Sequence, residues 1–113
     1  MIQKLKKAQW RPFLDALSKL LEAKDAEIEV ASLDLGDQIQ AEWLPFLGIS
    51  YDPNDDVVEI ALEGLDHLIY RPREIYLDDD VGGLTSLEVV DADDRRQIVK
   101  LKDKLLLPAP SPS

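Results

Sequence analysis

Val57-Val58-Glu59-Ile60-Ala61-Leu62-Glu63 is the stretch that decides the fold. Val58, Ile60 and Leu62 alternate with Glu59, Ala61 and Glu63, the period of two expected of a strand with one buried face. Gly64 ends it, and Asp52-Pro53-Asn54-Asp55 before it is rich in turn formers. Working outward, Glu27–Val30 alternates in the same way, with a slip near Ala31-Ser32 that predicts a bulge. Leu35-Gly36-Asp37 is a turn signal. Ile39, Ala41 and Trp43 then alternate with Gln38, Gln40 and Glu42, and Pro45 and Gly48 predict a bend or split in that strand.

Beyond Gly64, His67–Tyr70 and Arg73–Leu77 read as two extended pieces broken at Pro72. Asp78-Asp79-Asp80-Val81-Gly82-Gly83 reads as a loop. Residues 86–91 and 97–101 form a predicted hairpin around Ala92-Asp93-Asp94-Arg95. Only the N-terminal part changes period. Trp10, Phe13, Leu14, Leu17, Leu20 and Leu21 recur at helical spacing, predicting an amphipathic helix over about residues 11–23 with Pro12 in its first turn. The expectation is an α+β fold, with that helix packed on a bent antiparallel sheet of five to seven strands. The helix-then-strands order is also that of a small Sm-like or SH3-like barrel, and strand count leaves closure open. Residues 1–107 are expected to form one domain, and the Pro/Ser tail over 108–113 to be extended or disordered.

The 113 residues, 45% apolar and 32% charged, read as one globular domain. There is no cysteine, which excludes disulfides, thiolate metal sites and cysteine nucleophiles. No apolar run approaches a membrane span and no secretory h-region follows the basic N-terminus, so a cytoplasmic location is expected. Charge is laid out in three blocks. Residues 1–24 carry six basic side chains against two acidic, residues 25–94 carry two against twenty, and residues 95–113 carry five against one. The net charge of −10 opposes binding to nucleic acid, where cations must meet phosphates.

Asp66-His67 holds the single histidine, a candidate for general acid–base chemistry with Tyr70, Arg71 or Tyr76 nearby. Neighbours on a strand point to opposite faces, so a structural histidine is the competing reading. Asp52, Asn54, Asp56 and Glu63 fall at positions 1, 3, 5 and 12 of a calcium loop, but Val57 stands where that loop needs glycine, and a hairpin turn explains the same residues. Asp78 and Asp80 are the other candidate cation ligands, set against the bland reading of a solvated acidic run. No cofactor motif is present, because Gly82-Gly83 lacks a following Lys-Ser or Lys-Thr. Trp43, Phe46, Tyr51, Tyr70 and Tyr76 are candidates for an interaction patch, and core packing with ordinary surface tyrosines is the competing reading. Strand parity puts Glu27, Glu29, Glu59 and Glu63 on outward faces, which also admits an acidic mimic of nucleic acid.

Residues 26–38, Ala41–Pro45, Gly64–Ile69, Pro72–Ile75, Ser86–Asp93 and Gln97–Val99, with Trp10 and Pro12-Phe13 before them, resemble a bacterial family of short proteins, domain-of-unknown-function family 5335. The likeness runs from Leu5 to Pro108, with a departure at Asp94, where the family's hairpin would bring glycine. The resemblance implies a single-domain, cytoplasmic bacterial protein and carries over no reaction. By elimination the sequence points to a non-enzymatic interaction module, a homo-oligomer among its forms. A small hydrolase or isomerase using His67 and a carboxylate cation-binding protein are the alternatives.

Overall fold

The computed structural model describes residues 1–22, 24–32, 36–81 and 83–105. The elements in chain order are β1 (Ile2–Lys4), α1 (Lys7–Leu21), β2 (Asp25–Ser32), β3 (Gly36–Asp52), β4 (Val57–Leu62), β5 (Leu65–Tyr70), β6 (Pro72–Asp80), β7 (Gly83–Asp91) and β8 (Arg96–Leu105). The eight strands form one sheet in the order β1-β6-β7-β8-β2-β3-β4-β5, and every pairing is antiparallel. Of the described residues 68% are strand, with one short helix, so the α+β expectation of five to seven strands is corrected to a roughly all-β fold. The excess strand comes from segments read as loops or termini. β1 pairs with β6, and β6 runs through Asp78, Asp79 and Asp80 to pair Asp80 with Gly83. Three consecutive carboxylates tolerate a strand because alternation sends neighbours to opposite faces. β1 and β5 end the strand order with no pairing between them, so among the described residues the sheet does not close as a barrel. The tail over 108–113 lies outside the described residues.

Two corners fold this sheet over its own core. β3 pairs with β2 through Pro45 and with β4 from Phe46 onward, so one strand serves both halves. The turn-over is at Trp43, whose φ of 48° lies in the left-handed region that a bulky residue seldom adopts. Between Phe46 and Gly48 the register shifts, leaving Leu47 bulged outward and exposed. The predicted bend is therefore present, within a continuous strand. The second corner is Arg71, at φ 53°, between β5 and β6. Its N–H donates to the Asp56 carbonyl at 2.8 Å, and its own carbonyl accepts the Ala92 N–H at 3.0 Å. That second bond ties the end of β5 to the β7–β8 turn. The β2 bulge lies nearer the strand start than expected, at Ala26–Glu29. Glu27 keeps its outward parity, opposite Lys100 and between inward Ala26 and Ile28, but is covered to 7% exposure. Glu29 is ion-paired, so the outward row required of a nucleic-acid mimic does not form.

The helix starts a turn earlier than its apolar period suggested. Lys6 is extended, and the Gln9 side chain accepts its N–H at 2.9 Å, so Lys7 opens α1. Pro12 consequently sits inside the helix rather than in its first turn. Trp10, Leu14, Leu17 and Leu21 form the buried stripe. They join Ile28, Phe46, Ile60, Ile69, Ile75 and Val89 in one hydrophobic cluster. Trp10 meets Tyr51 edge-on, with ring centroids 5.2 Å apart. Ser18 Oγ accepts the Ile49 N–H at 3.0 Å, and a Cβ on Gly48 would lie 3.0 Å from that oxygen, so the glycine allows the close approach.

On the outer face, Lys100 Nζ lies 2.7 Å from Glu29 Oε1. The Lys100 hydrogen bond holds the Glu29 carboxyl below the usual carboxylate range, and the same bond raises the Lys100 ammonium. A depressed carboxyl contributes stability that is present above its unfolded value and lost as pH falls through its folded one. We predict that Lys100→Met costs under about 1 kcal/mol at neutral pH, because the pair is partly solvated. That deficit should close on titration below the ordinary Glu value of 4.5. Urea denaturation of both proteins at pH 7 and pH 3 checks this, and a deficit unchanged at pH 3 would refute it. For the core, Phe46 has no exposed surface. We predict that Phe46→Ala lowers stability by about 3–5 kcal/mol, read from the same denaturation curves; a loss under 1 kcal/mol would mean the bend is not packed as described.

Candidate functional site

At one mouth of the folded sheet the apolar ladder gives way to polar side chains. On β8, Val99 continues the inward row of the core, and Gln97 occupies the next inward position toward the β7–β8 turn. Gln97 pairs across to Val30 of β2, which pairs to Gln38 of β3. β5 approaches from the other half of the sheet and places His67 opposite Gln97. Together these elements bound a cleft of about 300 Å³, lined among others by Ser32, Gln38, Gln40, His67, Leu68, Arg95 and Gln97. Arg95 is the charged residue among the described lining residues.

A chain of hydrogen bonds orders this mouth. Asp91 is 5% exposed and Gln97 is 7% exposed. Asp91 Oδ1 accepts the N–H groups of Asp93 at 2.9 Å and Arg95 at 3.0 Å, and Oδ2 accepts Gln97 Nε2–H at 2.8 Å. Gln97 Oε1 lies 2.5 Å from His67 Nε2. The network assigns every proton in this chain. A carboxylate only accepts, so the Gln97 amide turns its NH₂ to Asp91 and its carbonyl to His67. A carbonyl only accepts, so Nε2 of His67 carries a proton, and in the neutral imidazole Nδ1 is then the nitrogen with the lone pair. Among the described residues nothing bonds Nδ1, and it is not a buried atom. The mouth thus offers a fixed acceptor at His67 and a cation at Arg95, which has no ion-pair partner among the described residues.

His67 therefore lies at a cleft, but Asp66 does not share it. Asp66 is exposed on the opposite face of β5, paired across to Ala61. The residues that orient His67 come from the β7–β8 hairpin, and sequence reading missed both. Gln97 carried one signal, a polar residue at an inward position in the row of Val99, and Asp91 read only as the last residue of a strand.

The aromatic candidates separate. Phe46 and Tyr51 are buried in the core. The Tyr51 hydroxyl donates to Asp56 Oδ1 at 2.7 Å, and burial, reinforced by that bond, pushes its pKa up to about 12. Trp43 and Tyr70 are exposed, on β3 and β5. Tyr76 is half-buried on β6, donating to Glu74 Oε2 at 2.9 Å, and that bond raises its phenol. Of the cation candidates, Asp52 Oδ1 accepts the Asn54 N–H at 2.9 Å and Asp56 holds Tyr51, so this run is occupied by its own turn. Asp78 and Asp80 lie along β6. Among the described residues no group of three or more acidic or histidine side chains converges to hold a metal ion. No described helix is long and apolar enough to cross a membrane.

The profile of a family described as "Family of unknown function (DUF5335)" matches residues 1–110. An uncharacterised protein of Aquifex aeolicus (strain VF5) is 47% identical over 103 residues, covering 90% of this chain and 93% of that protein. No solved structure matches the chain.

The hydrogen-bond chain predicts the effect of breaking its middle. Gln97→Leu leaves Asp91 Oδ2 and His67 Nε2 without their partner, and a buried group so orphaned costs about 1–3 kcal/mol. Chemical denaturation should show that loss, and nitrogen shifts of the His67 ring should change from a single Nε2–H tautomer to a mixture. An unchanged ring spectrum would show that Gln97 does not set the tautomer.

Proposed function

The chain belongs to the family of unknown function DUF5335, and from its geometry we propose that it is a protein-interaction module that takes up an extended segment along the free edge of β5. The observation carrying this reading is that edge. β5 pairs only with β4 among the described residues. Leu62 pairs with Leu65 and the Arg71 N–H reaches Asp56, so antiparallel alternation aims the backbone groups of Asp66, Leu68 and Tyr70 away from β4. Leu68 is 42% exposed and Tyr70 is 61% exposed along it. Sheet edges are usually guarded by brevity, lysine, proline or a bulge. The opposite end, β1, has three residues including Lys4. β5 has six residues, no lysine or proline, and no register shift against β4. Apart from the exposed Asp66 at its start, this edge is apolar and open, the geometry that strand addition uses.

A second copy can supply the added strand. With a two-fold axis through Leu68, each Asp66 faces a Tyr70 rather than another carboxylate, and Leu68 meets its own copy. Each chain carries a net charge of −10, so this association strengthens as salt screens the repulsion.

The general acid–base reading of His67 has less support. It needs a carboxylate within reach of the ring, and the ring is bonded instead to the neutral Gln97 amide. The cation reading is weakened by Asp52 and Asp56 accepting bonds within their own turn.

Leu68→Pro tests the edge. It deletes the outward N–H and leaves the β4 ladder intact, since proline is tolerated where that group faces solvent. We predict that light scattering over a concentration series shows a wild-type dimer, favoured by salt, and a Leu68→Pro monomer with an unchanged circular dichroism spectrum. A dimer that survives Leu68→Pro would place the contact elsewhere. A wild-type monomer that also selects no heptapeptide from a random display library would sink the reading.

A further inference from the structure

The cleft beside β5 carries chemistry that strand addition alone does not use. Its Arg95 is an arginine without an ion-pair partner among the described residues, in a chain of net charge −10. Its neighbours Arg73 and Arg96 are engaged by Asp94 and Glu88. Beside Arg95 the described lining residues present the neutral amides of Gln38, Gln40 and Gln97 rather than carboxylates. The third component is Nδ1 of His67, the acceptor of the neutral ring and unbonded among the described residues, on an imidazole positioned through Nε2 by two side chains more than nine-tenths buried. Burying Gln97 and Asp91 is costly unless their groups are bonded, and the group without a partner among the described residues, His67 Nδ1, is on a half-buried ring.

We propose that this cleft is a binding site for the C-terminal residue of a partner chain, with the terminal carboxylate on Arg95 and the last amide N–H on His67 Nδ1. The two fixed features demand a ligand that is at once anion and N–H donor. A peptide terminus has both on neighbouring atoms, and a guanidinium is well matched to a carboxylate. At about 300 Å³ the cleft sits at the small end of ligand sites and so takes the end of a chain rather than a strand running through. Leu68, which lines the cleft and also belongs to the free edge of β5, lets a segment entering along that edge finish in the cleft. Only this direction of entry rests on the strand-addition reading; the cleft chemistry stands apart from it.

Three small probes separate the parts of the site. N-acetylglycine carries both the carboxylate and the N–H, N-acetylglycinamide lacks the charge, and N-acetylsarcosine lacks the N–H. Titrated at constant ionic strength into ¹⁵N-labelled full-length protein, N-acetylglycine should shift the signals of the Arg95 guanidinium and the His67 ring. The other two should bind at least tenfold more weakly. Arg95→Gln should weaken N-acetylglycine tenfold or more while leaving the denaturation midpoint unchanged, because its guanidinium has no ion-pair partner among the described residues. Equal shifts from N-acetylglycine and N-acetylglycinamide overturn the carboxylate assignment, and equal shifts from N-acetylsarcosine overturn the His67 contact. Absence of any shift at Arg95 and His67 with all three overturns the site. Those outcomes leave the β5 edge to be judged by light scattering of Leu68→Pro. Conversely, cleft binding that persists in a Leu68→Pro monomer supports the site whatever the edge does.

Discussion

The bend in β3 is the constraint from which the rest of the molecule follows. A strand of 17 residues would span both halves of the sheet and bury nothing if it ran straight. Trp43 in a left-handed conformation and the bulge at Leu47 turn it, so that Ala41 and Phe46 both face the same core from different directions. β4 and β5 follow the second half of β3 and are carried around toward β7 and β8. A left-handed conformation at a non-glycine residue costs of the order of 1–3 kcal/mol, which the burial of Phe46 and its neighbours must offset. The helix completes the enclosure by closing on β3 at Gly48, where the missing Cβ admits Ser18.

The curl leaves a mouth, and the mouth is where the protein departs from apolar packing. Val99 and Val89 are buried, while the position next along β8 is Gln97. An apolar residue there would have continued the core. The amide instead joins β5 to the β7–β8 turn through His67 and Asp91, a polar tie between halves of the sheet that share no ladder at that point. Such a network specifies one relative placement of the two halves, because a hydrogen bond has a direction and a hydrophobic contact does not.

The three-block charge layout also resolves within the molecule. Among the contacts between described residues, the basic N-terminal strand meets acidic β6 through Lys4 and Glu74 at 2.9 Å. Basic β8 lies between β7 and β2 and meets both, through Arg96 with Glu88 at 3.5 Å and Lys100 with Glu29 at 2.7 Å. These are surface or half-buried pairs of modest individual worth. Their effect is on register, since opposite charges favour β8 between two acidic strands.

Local pattern was enough to read strand identity at β4, the β7–β8 hairpin, the bend near Pro45 and the amphipathic stripe of α1, because side-chain alternation and turn chemistry are properties of a few neighbouring residues. It misjudged Asp78–Asp80, where strand pairing with β7 overrode a composition that looks like a loop. It also put the β2 bulge near Ala31-Ser32 rather than at Ala26–Glu29, since a bulge leaves no mark in the sequence. His67 stood out as the single histidine, yet its partner could not be read, because Gln97 is 30 residues away and is brought to it only by the curl of the sheet. The sequence by itself determined the antiparallel pairing of neighbouring strands, the absence of thiol chemistry and the family. Only the tertiary structure decided which strand stays an open edge, where the basic blocks land and what orients His67, because each depends on contacts between residues far apart in the chain, and side-chain period carries no record of those.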